Sequence, residues 1–155
     1  MSYRVLFLVV LPLVITLAFF ELPSMCEGET TLRVRIGAGD KFLFFELNDS
    51  PMAKEFYSLL PLKVKVTDFA GKEKIFQLPR KLNTQGAPEA KPVVGTIAYY
   101  APWGNIAIFY SDSNPASGLF ELGRCVAGTD YIRDLEGTIV VERVETLPDK
   151  YMCPR

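Results

Sequence analysis

From Val93 to Tyr110 the chain reads VVGTIAYYAPWGNIAIFY. Two apolar runs flank Ala101-Pro102-Trp103-Gly104-Asn105, where Pro and Gly mark a tight turn. The pattern predicts paired strands over Gly95 to Tyr100 and Asn105 to Tyr110. In the second of these, Ile106, Ile108 and Tyr110 take one face and Ala107 and Phe109 the other. Earlier in the chain, Leu32, Val34 and Ile36 alternate with Thr31, Arg33 and Arg35, which predicts a half-buried strand. After the Gly37-Ala38-Gly39-Asp40 turn, Lys41 to Leu47 is apolar on both faces and needs cover on both sides. Leu62, Val64 and Val66 alternate with Lys63, Lys65 and Thr67. Beyond a turn centred on Gly71, Glu73 to Leu78 supplies the return arm of a hairpin. Leu119 to Val126 and Gly137 to Val144 complete the set of eight predicted strands.

Helical periodicity occurs twice. Asn48-Asp49-Ser50 offers capping oxygens ahead of Pro51, which suits the first helical position. Met52, Phe56 and Leu59 then recur at helical spacing, predicting an amphipathic helix from Pro51 to Leu60 that Pro61 stops. A shorter helix is expected over Thr129 to Leu135. Pro79 to Pro92 is a long polar connection, and loops of that length are usually functional or mobile. Many short strands with Gly and Pro turns favour a barrel or a sandwich, and closure removes the open edges of long apolar strands. The expectation is a mainly β, closed eight-stranded barrel over residues 30–146. One helix follows strand 2, a short helix precedes strand 8, and an irregular tail occupies 147–155.

The amino terminus stands apart. Arg4 precedes an apolar run from Val5 to Phe20, which is 16 residues long. A spanning helix needs about 20, so the run suits the core of a signal peptide. Residues 1–26 are thus read as a cleaved signal peptide, a retained membrane anchor, or a lipidation signal ending at Cys26. Each places the domain outside the cytoplasm: secreted, periplasmic or anchored by its amino terminus. The membrane is expected to be touched only through that segment. Export makes the three cysteines worth counting. Cys125 sits inside a strand as a small core residue. Cys26 and Cys153 flank the first and last strands, so antiparallel pairing of those strands would permit a disulfide between them.

Composition narrows the chemistry. With 17 Lys+Arg against 18 Asp+Glu, the chain lacks the basic surface that nucleic acid requires. It contains no histidine, which removes Ser-His-Asp and Cys-His nucleophile systems and His-ligated zinc. No metal site, cofactor or catalytic residue is assigned. Glu46, which alternates with Phe42 and Phe44, is a candidate for a partly buried carboxylate. Arg124 could bind a carboxylate or pair with Glu121, Glu142 or Glu145. Arg80, Lys81 and Lys91 could gather an anion or simply be solvated.

A series of short motifs runs in order through Asp49-Ser50-Pro51-Met52-Ala53, Leu60-Pro61-Leu62, Gly71-Lys72-Glu73-Lys74 and Leu78-Pro79. It continues through Gly95-Thr96-Ile97-Ala98-Tyr99-Tyr100, Asn105 to Tyr110, and Leu122-Gly123-Arg124. With these motifs, the order of elements resembles the cyclophilin barrel, and in particular the cyclophilin-like domains of bacteria and archaea. Cyclophilins isomerise X-Pro bonds on the outside of the barrel, using an arginine, a glutamine and an apolar proline pocket. The resemblance implies an outer-face groove here, with Phe109 as pocket floor and Ala107 beside it. Tyr99 or Tyr100 would stand at the rim, Gln77 would be the cleft glutamine, and the Pro79 to Pro92 loop would flank the groove. Trp103 would either stack on a ligand or lie over the barrel end. The strand that carries the family's arginine reads Leu62-Lys63-Val64-Lys65-Val66, and lysine lacks the planar fork of arginine. The expected function is therefore a monomeric module that binds a peptide or small ligand. The alternative is a divergent peptidyl-prolyl isomerase acting on exported proteins.

Overall fold

The computed structural model describes residues 31–148. Eight strands form it: β1 Arg33–Ala38, β2 Lys41–Leu47, β3 Leu62–Phe69, β4 Glu73–Gln77, β5 Thr96–Tyr100, β6 Asn105–Phe109, β7 Leu119–Ala127 and β8 Gly137–Val144. Every neighbouring pair is antiparallel, and the order β1-β2-β7-β5-β6-β4-β3-β8 closes on itself. Closure leaves no unpaired edge to template aggregation. The first and last strands do pair antiparallel, Ile36 opposite Val141. Cys26 and Cys153, the proposed disulfide partners, lie outside the described residues.

The alternation read from the chain is the inside-outside alternation of a barrel. Val34, Ile36, Leu43, Phe45, Phe76, Ile97, Tyr99, Ile106, Ile108, Leu122, Ile139 and Val141 are all buried in one cluster. The interior is thus filled by side chains. Helix α1, Pro51–Ser58, contributes Met52, Ala53 and Phe56 to that cluster. Its amino end is held by the Ser50 hydroxyl, which accepts from the Ala53 amide at 3.2 Å. The helix is shorter than expected because its last turn tightens. Leu59 and Leu60 donate to the carbonyls of Phe56 and Tyr57, three residues back, before the cis Leu60–Pro61 bond. Arg143 also donates to the carbonyls of Tyr57 and Ser58, at 3.0 Å in each case.

At the opposite end of β2, only Thr129–Tyr131 forms a 3-10 helix, not the longer helix expected over Thr129 to Leu135. The amides of Tyr131, Ile132, Asp134 and Leu135 all donate three residues back, so the segment is a run of tight turns. It still inserts Ile132 and Leu135 into the core. The β2–β7 seam is unusually close at Gly123, where a Cβ would lie 2.1 Å from the Glu46 carbonyl oxygen. No helix among the described residues is long and apolar enough to cross a membrane.

Candidate functional site

Outside the barrel, a second apolar cluster sits on the outer face of β4, β5, β6 and β7. It comprises Ala90, Ala98, Ala107, Phe109 and Leu119, with Ile75 and Tyr100 packed against it. Its members take the face opposite Ile97, Tyr99, Ile106 and Ile108, as the strand period requires. Ala98 and Ala107 stand directly opposite each other. Two methyl-sized side chains at the centre keep the floor low, while larger groups rise around it.

A cavity of about 250 Å³ opens over this face, lined by Phe69, Glu73, Tyr100, Trp103, Asn105, Phe109, Ser113, Asn114, Ala116 and Leu119. Register explains the grouping. Phe69 pairs with Glu73, Glu73 with Phe109, and Tyr100 with both Asn105 and Leu119. The β3–β4 turn makes Phe69 part of the wall. Ala70 and Gly71 both take positive φ, 53° and 65°, which suits the right-handed twist of a tight hairpin. Trp103 rises from the β5–β6 turn and is 52% exposed. Its ring meets Phe69 at 5.3 Å and Tyr100 at 5.4 Å between centroids, edge-on in both cases. Three aromatic rings thus form a continuous wall, and Phe109, 2% exposed, forms part of the base.

The polar groups in the cavity are few. Glu73 is half-buried and makes no side-chain hydrogen bond or ion pair within the described residues; burial raises its carboxyl above the usual 4.5. Asn105 is 1% exposed, and its buried Oδ1 has no hydrogen-bond partner among the described residues. Among the described residues neither lysine nor arginine lines the cavity. The nearest inward neighbour of Glu73 along the strand, Lys74, is engaged elsewhere. Its Nζ lies 2.9 Å from Asp68 and over the Tyr110 ring.

The residues expected in the groove divide as follows. Phe109, Tyr100 and Trp103 line the cavity. Ala107 lies in the outer cluster beneath it. Tyr99 is turned the other way: it is fully buried in the barrel, and its hydroxyl accepts from the Leu82 amide at 3.1 Å. Gln77 is on the outer face but exposed, opposite Asn105 and outside the lining. The loop that lines the cavity is 113–116, while the Pro79 to Pro92 loop contributes Ala90 to the apolar cluster beneath it. The longer loop is instead tied down. Leu82 and Ala90 are buried, Ala90 donates to the Leu119 carbonyl, and Asn83 donates to Glu55.

Other sequence candidates resolve into ordinary pairs. Glu46 is bound by Arg33 at 2.9 Å, Arg124 by Glu121 at 2.9 Å, and Arg80 by Glu55. Cys125 is a free thiol whose Sγ donates to the Ala127 carbonyl. No cluster of His, Cys, Asp or Glu suited to a metal exists among the described residues. The lining residues not foreseen from the chain were Phe69, Glu73, Asn105, Leu119 and the loop residues Ser113, Asn114 and Ala116. Glu73, Ile75 and Gln77 share one strand face, which was a usable signal, but only the register with β6 sets Glu73 beside Phe109.

No curated protein matches the chain. Among solved structures, a hypothetical protein of Archaeoglobus fulgidus, determined in solution, is similar at a TM-score of 0.58 and 23% identity; the match covers 77% of this chain and all of that one. That likeness bears on the fold alone. Residues 36–143 match the model of the cyclophilin-like family, so this eight-stranded barrel with its outer-face cavity belongs to that family.

Proposed function

We propose that the protein is an extracytoplasmic binding module whose outer-face cavity takes up a small ligand or one side chain of a peptide. The observation that carries this reading is Trp103. An indole more than half exposed, held edge-on against Phe69 and Tyr100 over a preformed recess, leaves apolar area in water that a ligand would cover. Buried side chains occupy the barrel interior among the described residues. Export is supported by the apolar run from Val5 to Phe20.

The isomerase alternative needs a cation beside the prolyl nitrogen to weaken amide resonance, against a rotation barrier of ~18–20 kcal/mol. The lining supplies none, which favours binding over turnover. Two measurements test this. A panel of short peptides and small molecules is screened by amide chemical-shift mapping of the full chain. Hits are expected to move residues 69–73, 100–109 and 113–119 together, and Phe109→Ala is expected to abolish those shifts. A protease-coupled proline-peptide assay is expected to show no acceleration. Acceleration lost in Phe109→Ala would establish the isomerase instead.

A further inference from the structure

The cavity combines three features that together specify a ligand charge. Its wall is aromatic on several sides: Phe69, Tyr100, Trp103 and Phe109. Its one charged group, Glu73, is negative, half-buried, and without an ion pair or side-chain hydrogen bond within the described residues. Its second buried polar group, Asn105, has an oxygen with no donor. An unpaired carboxylate in an apolar recess is costly unless something neutralises it. Ring faces carry negative quadrupole potential and attract cations. Both features repel an anion and favour a cation, and the described residues place no cation in the recess.

Resting on the reading of the cavity as a binding site, we propose that its ligand bears an alkylammonium group, which sits against the aromatic wall and hydrogen-bonds to Glu73. The recess of about 250 Å³ is smaller than the ~300–1,000 Å³ typical of drug-sized ligands and suits a single amine-tipped chain. Such a chain is available from a lysine side chain of a peptide or from a free small amine. In either case the stem covers Phe109 and Leu119 while the ammonium stays at the level of Glu73. Ser113 and Asn114 supply a polar rim. Neutral X-Pro segments would leave Glu73 and the Asn105 oxygen unanswered.

The test uses the full chain and three probes: n-butylammonium, its neutral isostere n-butanol, and lysine blocked as its N-acetyl methylamide. Binding is read from amide shifts at Glu73, Trp103, Asn105 and Phe109. Butylammonium is expected to bind about tenfold more tightly than butanol, the size of one charge-assisted and cation–π contact combined. In Glu73→Gln, which keeps the shape, the preference is expected to fall to about threefold or less. Blocked lysine binding tighter than butylammonium assigns the amine to a peptide; equal or weaker binding assigns it to a small molecule. Equal binding of butanol and butylammonium overturns cation recognition and leaves the cavity as a neutral site. An unchanged preference in Glu73→Gln overturns the role of the carboxylate. If neither these probes nor any member of the peptide panel moves those amides, both the proposal and the binding reading fall.

Discussion

Gly123→Ala tests the barrel at its tightest seam. A Cβ at this position would lie 2.1 Å from the Glu46 carbonyl oxygen, 2.7 Å from the Leu47 Cα and 2.9 Å from the Glu46 carbonyl carbon. All three are backbone atoms, so no side chain can swing aside. Ordinary contact begins at 3.4 Å, leaving a shortfall of about 1.3 Å at the oxygen. The strands must part by roughly that distance. The bond from the Asn48 amide to the Leu122 carbonyl, now 2.8 Å, would then exceed hydrogen-bonding range, as would ladder bonds near Leu47 and Gly123. Two or three lost bonds at ~1 kcal/mol each, with ~1–2 kcal/mol for residual overpacking, give about 3–5 kcal/mol. That is a large part of the ~5–15 kcal/mol of a typical domain. At roughly 3–5 °C per kcal/mol for a domain of this size, Tm is expected to fall by about 10–25 °C. Gly37→Ala is the internal comparison. Its Cβ would crowd the Phe42 ring, at 2.8 Å, with the Lys41 carbonyl oxygen at an ordinary 3.9 Å; a ring can move, so a much smaller loss is expected. Thermal unfolding followed by circular dichroism reads both. A change below about 3 °C for Gly123→Ala, or a larger loss for Gly37→Ala, would refute the close approach of β2 and β7.

Tyr99→Phe removes the acceptor of the Leu82 amide and should cost about 1–2 kcal/mol in denaturant unfolding. Ligand shifts at the cavity should be unaffected, because Tyr99 faces the interior. The Cys125 thiol is held above its usual value by burial, so iodoacetamide followed by peptide mapping should label it at least about tenfold more slowly in native protein than in urea. Asp68 and Glu73 should titrate in opposite directions by carboxyl NMR. Lys74 and the Tyr110 hydroxyl hold Asp68 below the usual 3.8, so its contribution to stability is present above 3.8 and is lost as pH falls through its lowered folded value. Burial holds Glu73 above 4.5. The folded state therefore takes up that proton more readily than the unfolded chain, and stability rises as pH falls from the raised value towards 4.5. Glu73→Gln should remove that slope, and ammonium binding should weaken over the same interval as the carboxylate is protonated.

The chain disclosed its fold well because a barrel wall imposes a strict period of two. Ile106 and Ile108 against Ala107 and Phe109 are distinguishable from spacing alone, and the core confirms that division. Adjacent tyrosines had to face opposite ways. Which one faced inward follows from the register that pairs Tyr99 with Ile106, and the buried hydroxyl then meets the Leu82 amide of a distant loop. Closure itself was arguable from the lack of protected edges. The cavity was legible only in part, because it is assembled across strands. Phe69 lies 40 residues before Phe109 in the numbering, and only the ladders β3–β4 and β4–β6 bring them together through Glu73. Glu46 looked like the buried carboxylate because aromatic residues precede it, yet Arg33 on the neighbouring strand neutralises it. Length also misled for Pro79 to Pro92. A long polar loop looks free from composition, but single residues such as Leu82 and Ala90 anchor it.

The most direct test of the central claim is a crystallographic fragment screen of the full chain, using small neutral and amine-bearing compounds. Fragments should collect in the recess between Phe69, Trp103 and Phe109, with amine nitrogens placed at the Glu73 carboxylate. A screen whose hits gather elsewhere on the barrel and leave that recess empty would contradict the assignment of this face as the binding site.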